Sequence, residues 1–409
     1  MNAVYGWLAE ATAEQRRTLI AAALGWMLDS MDVMLYALVL GEVQKAMHLS
    51  AAASGAMVSA TLLAGAAGGI AFGWFADRFG RARALTWSVL IYSVATALCG
   101  LTQTPIQLLL CRLLLGLGMG GEWASGAVLV AETWPDKHRG KALALVQSAW
   151  AIGYALGAAI VALVMPRFGW RAVFFAGILP ALVALWMRRS LHEPEAWQST
   201  RKQGEQSRRS ETLTGVRRSL LVCALMNAAT LFGWWGLFTW VPHFLSQPAS
   251  AGGRGMNIVQ TSGFTIAMQA GAFFGYVLFG FIADRYNPKF TYMSYLVIAA
   301  ILTPAFALVR SPAALFVLGP LVGFFGTGYF SGFSLIASEQ FPTRIRGYAM
   351  GLAYNSGRIV SAAAPYIIGW LSESLGLRYA LCATSAGFLI AAVVATALRL
   401  PTRAIIQSN

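Results

Sequence analysis

Long apolar stretches, each separated from the next by a short polar segment, run through almost the whole chain. Twelve of them reach or exceed the roughly 20 residues that an α-helix needs to cross the core of a bilayer. They lie at about 18–47, 51–76, 84–103, 105–131, 142–165, 170–190, 218–246, 259–283, 290–309, 313–338, 347–372 and 377–399. Since lipid offers the backbone no hydrogen bonds, each stretch is predicted to be a helix. The pattern therefore predicts an all-α membrane protein with twelve transmembrane helices.

Charged and small residues repeat along the chain at a fixed offset. Gly73 recurs as Gly280, an offset of 207 residues. The other repeated pairs are Asp77 and Asp284, Arg78 and Arg285, Glu132 and Glu339, Arg139 and Arg346, Gly169 and Gly376, and Arg171 and Arg378. A period this long indicates a duplicated domain, which is a common build for a secondary transporter. The repeat predicts two pseudo-symmetric six-helix bundles, at 1–190 and 218–409, joined by a polar cytoplasmic linker at 191–217.

Composition supports the membrane interpretation, because 57% of the residues are hydrophobic and only 11% are charged. The net charge of +14 invites a nucleic-acid-binding function, but its distribution argues against one. In the twelve-helix arrangement, 22 of the 30 Lys and Arg residues fall on one side of the membrane and six on the other. This asymmetry predicts that both termini are cytoplasmic. The absence of an Asn-x-Ser/Thr sequon favours a bacterial inner membrane.

Catalytic and metal-binding patterns are missing from the sequence. The four cysteines lie in apolar stretches at unrelated spacings, which predicts neither a disulfide framework nor a metal site. No nucleophile–base pair or phosphate-binding loop indicates an enzyme. We expect no cofactor and no nucleic acid. The expected partners are a small-molecule substrate, protons and the lipid bilayer, and we expect a monomer.

Four ionisable residues of the first half fall inside predicted helices: Asp29, Asp32, Arg112 and Glu122. Each such charge costs about 2.5–3.5 kcal/mol to insert, so it is functional by default. Asp29 and Asp32 are three residues apart and share a helix face, where their repulsion favours proton uptake by one of them. Arg112 is the expected counter-ion for a first-helix Asp. All four are therefore predicted to couple transport to protons, although Glu122 is also a good candidate for a structural ion pair.

Arg358 is the fifth buried charge, and no acidic residue of the second half is an obvious partner for it. An unpaired guanidinium in a cavity is a good receptor for a carboxylate, because its two N–H groups match the two oxygens. Other polar or amphipathic residues inside helices could line the same cavity: Tyr36, Gln147, Asn227, Trp234, Trp235, Gln269 and Asn355. For each of them taken singly, helix packing is the alternative role.

Two motifs resemble those of the major facilitator superfamily. They are Gly73-x-x-x-Asp77-Arg78-x-Gly80-Arg81-x-Arg83 and Arg112-x-x-x-Gly116-x-Gly118-x-Gly120. The resemblance implies a two-bundle transporter in which cytoplasmic charges latch the inside gate of the outward-open state. These gating residues are Asp77, Arg78, Arg81, Glu132, Arg139, Asp284, Arg285, Glu339 and Arg346.

Within that superfamily, Trp26 to Asp32 and Gly120-Gly121-Glu122-Trp123 are similar to proton symporters for metabolites, including sialate, lactate and aromatic-acid permeases. In these symporters a first-helix Asp pairs with the fourth-helix Arg, here Arg112. We therefore predict a proton-coupled symporter that imports a small organic anion by alternating access: a monocarboxylate, an aromatic acid or an acidic sugar. The alternatives are a proton-coupled sugar or polyol symporter and, less favoured by the fifth helix, a multidrug exporter.

Overall fold

The structure is a computed structural model that describes residues 8, 10–182, 186, 216–341 and 345–398. Nearly all of the predicted linker at 191–217 and the side chains of Glu132 and Arg346 lie outside this description. Every regular element within it is a helix, so the predicted all-α fold class is confirmed. The boundaries of the two predicted halves remain a prediction.

Six α-helices form the described part of the first half. They are α1 (Ala13–Leu38), α2 (Leu40–Met47), α3 (Ala51–Phe79), α4 (Arg81–Cys99), α5 (Pro105–Thr133) and α6 (Asp136–Phe175). Polar side chains fix where three of them begin. Thr12 and Thr104 form capping boxes with Gln15 and Gln107, and the Ser50 side chain accepts a hydrogen bond from the first turn of α3.

Nine α-helices form the described part of the second half. They are α7 (Arg217–Phe238), α8 (Val241–Ser246), α9 (Ile258–Arg285), α10 (Pro288–Leu308), α11 (Pro312–Gly328), α12 (Phe330–Glu339), α13 (Arg346–Ser361), α14 (Ala364–Leu375) and α15 (Leu377–Thr396). Three predicted spans are thus each divided in two, at 239–240, at 329 and at 362–363. Divided helices of this kind often line substrate sites in transporters, because the break exposes backbone and side chains to a cavity.

Nine helical segments of the described chain are long and apolar enough to cross a membrane. The three further predicted spans are accounted for by α5, by the α13–α14 pair, and by α6, which covers two spans in one segment. Pro166 lies inside α6, and Gly169 breaks its helical geometry with φ 75°. The repeat partner Gly376 also has a positive φ, of 82°, so the duplication extends to this turn.

The packing inside the two halves repeats as the sequence does. In the first half α3 packs on α5 and α1 on α6, and in the second half α9 packs on α11 and α7 on α13. An added Cβ at Gly68 would collide with the carbonyl oxygen of Leu117, and one at Gly275 with that of Phe324. Both pairs are 207 residues apart. These glycines therefore let the paired helices approach closely in each half.

Candidate transport site

A small cavity lies where the two halves face each other. The first half contributes Trp26, Met119, Gln147 and Trp150, and the second contributes Leu231, Trp234, Trp235, Tyr276, Phe330, Tyr354 and Arg358. Four residues predicted to line the substrate cavity, Gln147, Trp234, Trp235 and Arg358, thus share one site.

The cation of this cavity, Arg358, comes from α13 and lies against α3 of the other half. Its side chain is 5% exposed, and it forms no hydrogen bond or ion pair with any described residue. A Cβ added at Gly65 would lie 2.8 Å from Arg358 Nη2, so the absence of a side chain at position 65 makes room for the guanidinium. One turn further along, Asn355 Oδ1 lies similarly close to Gly69, at 3.3 Å from an added Cβ.

Aromatic rings form most of the cavity wall. The rings of Trp26 and Trp150 lie 4.7 Å apart, those of Trp150 and Trp234 lie 5.6 Å apart, and Trp234 and Trp235 meet edge to face at 4.8 Å. Phe330, at the start of α12, closes the wall next to Trp234. Rings in such contact present a rigid, apolar surface that matches a planar substrate.

The two carboxylates of α1 are fully buried, and neither of them borders this cavity. None of the four carboxylate oxygens of Asp29 and Asp32 has a hydrogen-bond partner among the described residues. Thr96 lies next to Asp32, but its hydroxyl donates to the Tyr92 carbonyl at 2.9 Å. The positive charge that acts on Asp29 is that of Arg358, across the interface between the halves. One predicted proton carrier therefore lies within electrostatic reach of the predicted anion receptor.

Arg112 does not form the expected direct ion pair with Asp32. Its guanidinium carbon lies 4.6 Å from the centroid of the Tyr36 ring, and its three side-chain nitrogens have no hydrogen-bond partner in the described chain. A guanidinium is attracted to the face of an aromatic ring, so Tyr36 takes the place expected for a carboxylate. The Tyr36 hydroxyl in turn is directed to the Ser54 carbonyl, at 3.4 Å, and not to Asp32.

Glu122 lies close to the same group of acids. It is 1% exposed, and its Oε1 would be 2.7 Å from a Cβ added at Gly25, one turn before Asp29 on α1. Tyr92, which is fully buried, donates to the Gly25 carbonyl at 3.3 Å and lies near all three carboxyl groups. The first half therefore presents a cluster of three acids around one phenol.

The remaining predicted substrate contacts occupy packing positions around the cavity. The amide of Asn227 donates to the Tyr354 carbonyl at 2.9 Å and so ties α7 to α13. Asn355 donates to the Gly351 carbonyl at 3.0 Å on its own helix. Gln269 is 2% exposed, and neither of its amide atoms has a partner in the described part of the chain. None of these residues or Tyr36 borders the cavity itself.

The halves contact each other closely at one end of the bundle, which we call the outer end and which holds residues 48–59 and 364–376. There Glu373 accepts a hydrogen bond from Ala52 N–H at 2.9 Å, and the Tyr366 N–H donates to Ser59 Oγ at 3.2 Å. The Ala52 N–H holds the pKa of Glu373 below its ordinary value. A Cβ added at Gly55 would collide with the Pro365 carbonyl oxygen. Backbone contact between α3 and α14 thus closes this end.

The predicted gating charges lie at the opposite end, the inner end, which holds residues 73–83 and 280–290. Asp77 and Arg81 form an ion pair of 2.6 Å. Arg78 packs against the rings of Trp74 and Phe79, and Arg139 donates to the Trp134 carbonyl at 3.4 Å. The repeat partner of Arg81 is Pro288, and accordingly Asp284 forms no ion pair with a described residue.

A bundle of membrane-length helices in two repeated halves, with a charged and aromatic cavity between them, defines a secondary transporter of two pseudo-symmetric domains. The sequence profile described as "Major Facilitator Superfamily" matches residues 22–267 and 249–407. The chain belongs to this superfamily. The prediction of a transporter rather than an enzyme is thereby confirmed, as is the predicted fold.

Individual relatives carry organic-acid transport in their names. The chain is 33% identical over 386 residues to the "Probable 4-methylmuconolactone transporter" of Cupriavidus pinatubonensis, covering 92% of this chain and 89% of the relative. It is 32% identical over 385 residues to the "Cis,cis-muconate transport protein" of Acinetobacter baylyi, covering 91% of each. A solved bacterial homologue of the human lysosomal transporter Spinster, inward-facing and unoccupied, matches at a TM-score of 0.76 with 19% identity over 94% of this chain and 97% of that one.

Several residues of the site were not predicted from sequence. Trp150, Tyr276, Phe330 and Tyr354 border the cavity, and Gly65 makes room for its cation. The only sequence feature that could have indicated them is an aromatic side chain in the middle of an apolar span. Many residues with that feature have a packing role alone. Gly65 differs from these aromatic residues, because it contributes to the site by having no side chain.

Proposed function

We propose that this protein is a proton-coupled symporter that imports a small organic anion across a bacterial inner membrane, with both termini in the cytoplasm. The observation that carries the proposal is Arg358: a guanidinium that is 95% buried, borders the cavity between the halves and has no ion-pair partner among the described residues. Burying such a cation is energetically unfavourable unless an anion binds next to it. The substrate carboxylate is the natural anion.

The rest of the cavity favours an unsaturated or aromatic acid among small organic anions. Apart from Arg358 and Gln147, the wall is made of aromatic and aliphatic side chains, with Trp150 and Trp234 in ring contact. Such a wall binds a planar apolar body and offers few partners to the hydroxyl groups of a sugar. The names of the muconate and methylmuconolactone relatives point to the same kind of substrate.

Proton coupling would follow from competition for one guanidinium. Without substrate, the charge of Arg358 offsets part of the cost of burying an ionised Asp29. When the substrate carboxylate occupies Arg358, that support is lost, and two buried acids with no hydrogen-bond donors favour proton uptake. Anion binding and proton binding then reinforce each other. Such linkage is what symport requires.

The energetics give this scheme a driving force. One proton moving with one monoanion carries no net charge, so a membrane potential, worth about 2.3 kcal/mol per charge per 100 mV, does not drive it. A pH gradient, worth about 1.4 kcal/mol per unit, does. We expect uptake of a monocarboxylate into proteoliposomes to respond to an inward proton gradient and not to a potassium diffusion potential.

The experiment that tests the site is Arg358→Gln, with Arg358→Lys as the matched control. Hydrogen bonds to charged groups contribute about 1.5–3 kcal/mol, so the Gln variant is expected to bind benzoate or muconate about 10- to 150-fold more weakly. The Lys variant keeps the charge and loses the paired N–H geometry, and it should fall between wild type and Gln. Undiminished transport by Arg358→Gln would instead favour a neutral sugar or polyol as the substrate.

A further inference from the structure

Two indole N–H groups at the cavity have no hydrogen-bond acceptor among the described residues. Trp150 of α6 and Trp234 of α7 are 5% and 2% exposed, and the Nε1 atom of each is buried and unpartnered. Two buried indoles elsewhere in the chain do have partners. The Trp134 Nε1 donates to the Gln15 carbonyl at 3.1 Å, and the Trp240 Nε1 to the Pro365 carbonyl, also at 3.1 Å. A buried donor left without an acceptor is unfavourable.

The two indoles belong to opposite halves and meet at the cavity. Their ring centroids are 5.6 Å apart with the planes inclined by 70°, and both side chains border the space that Arg358 also borders. Of the polar groups that border this space, the indoles and the guanidinium can only donate hydrogen bonds. Gln147 Oε1 is an acceptor without a partner in the described chain. The N–H donors of the indoles and of the guanidinium therefore outnumber the acceptors that border this space, which are Gln147 Oε1 and the Tyr276 and Tyr354 hydroxyls.

We propose that Trp150 and Trp234 donate their indole N–H groups to a second oxygen of the substrate, at a distance from the carboxylate on Arg358. The inference rests on the proposed function, because it takes Arg358 as the carboxylate site. It narrows the substrate to an organic anion with a further acceptor oxygen on a planar body, such as a keto acid, a lactone acid or a second carboxyl group. An acid rich in hydroxyl groups fits poorly, because its donors would find few acceptors.

A pair of ligands that differ only in the acceptor tests this assignment. In 3- and 4-acetylbenzoate the ketone oxygen accepts a hydrogen bond, whereas in 3- and 4-isopropenylbenzoate a CH₂ group of similar shape cannot. Binding to the purified full chain is measured by calorimetry for wild type, Trp150→Phe and Trp234→Phe. Wild type is expected to prefer the acetyl acid of at least one pair by about threefold to tenfold, the range of one or two neutral hydrogen bonds.

The variants are expected to lose that preference selectively. Each Phe variant should bind the acetyl acid more weakly than wild type does. Its affinity for the isopropenyl acid should differ from that of wild type by no more than about twofold beyond the effect of the smaller ring. Trp240→Phe, whose indole is satisfied by the Pro365 carbonyl, should retain the wild-type preference. If a Phe variant does not fold, benzothienylalanine at the same position replaces the N–H by sulfur with almost no change of shape.

Three results would overturn the assignment: no acetyl preference in wild type, an equal loss of both acids in the Phe variants, or the same loss in Trp240→Phe. Failure of the underlying function gives a different result. In that case wild type binds neither acid, or Arg358→Gln binds both as well as wild type does. The calorimetry therefore distinguishes failure of the proposed indole hydrogen bonds to a second oxygen from failure of the proposed carboxylate binding by Arg358.

Discussion

The outer and inner ends of this transporter hold the two halves in different ways. At the outer end, α3 and α14 touch through backbone atoms and small side chains, with Gly55 against the Pro365 carbonyl and Gly369 against that of Ala51. At the inner end, a Cβ added at Gly73 or Gly280 would meet no heavy atom within 4 Å. This contrast separates a closely packed end from one at which the small residues face open space. It also shows that close backbone contact closes one end, whereas the charged motifs belong to the other.

The largest effect is expected from a bulky residue at the closed end. In Gly55→Leu the side chain would overlap the Pro365 carbonyl oxygen, so the outer contact should open and transport should fall more than tenfold. The state can be followed with a cysteine at Ser59, which is 8% exposed, in a background without the native cysteines. An impermeant maleimide should label it much faster in the Leu variant. Gly73→Leu, which meets no neighbour, is the control. Unchanged labelling in Gly55→Leu would show that this contact does not close the outer end.

An intermediate effect is expected at Gly65, midway between the two ends. A methyl group there would lie 2.8 Å from Arg358 Nη2 and would displace the guanidinium. Gly65→Ala should therefore weaken carboxylate binding about tenfold, within the range expected for a damaged charged hydrogen bond. Calorimetry with benzoate measures this, and Gly73→Ala should differ from wild type by less than twofold. Equal affinities in Gly65→Ala and Gly73→Ala would remove Gly65 from the site.

A smaller and asymmetric effect is expected among the charges of the inner end. Asp77→Asn removes an ion pair of 2.6 Å with Arg81, and exposed pairs contribute up to about 1 kcal/mol. We expect the transport rate to change by up to about fivefold with no change in substrate affinity. Asp284→Asn should have less effect, because Pro288 stands where the first half has Arg81. Weakened binding with normal transport in Asp77→Asn would contradict a gating role.

The smallest effect is expected from the exposed carboxylate of the outer end. The Ala52 N–H lowers the pKa of Glu373, so the ionised form strengthens the contact at neutral pH and loses that effect as pH falls through the lowered pKa. Maleimide reacts with the thiolate, whose fraction falls with pH, so labelling at position 59 is divided by that of a fully exposed control cysteine at the same pH. This ratio should rise, by less than about twofold, when the pH drops from about 7 to below about 4, the region of an ordinary Glu pKa. Glu373→Gln should remove this dependence. An identical pH response in Glu373→Gln would assign it to another group.

Much of the fold was predictable because lipid imposes a simple rule on the sequence. Apolar length predicted the spans, and the 207-residue offset predicted two alike halves, including the turn shared by Gly169 and Gly376. The divisions of the second-half spans, such as that at Tyr329 between α11 and α12, were not predicted. An apolar run stays continuous across such a break, so hydropathy does not report it.

The candidate site was predictable where a charge marked it and not where geometry did. Arg358 could be predicted as a site residue because a cation inside an apolar span is energetically unfavourable, so its presence indicates a function. The position of Tyr36 beneath the Arg112 guanidinium depends on how α1 and α5 pack, which spacing alone does not specify. The same holds for Tyr92, whose sequence neighbourhood resembles that of a residue that only packs.

Four of the 14 tryptophans of the chain, Trp26, Trp150, Trp234 and Trp235, surround the cavity within ring-contact distance of one another. Indoles this close to one another transfer excitation energy between them. A conjugated acid that settles among these rings would quench a large share of the emission at once, whereas a saturated solute of the same size would not. The ring cluster therefore makes the protein its own optical sensor of occupancy, with no label attached.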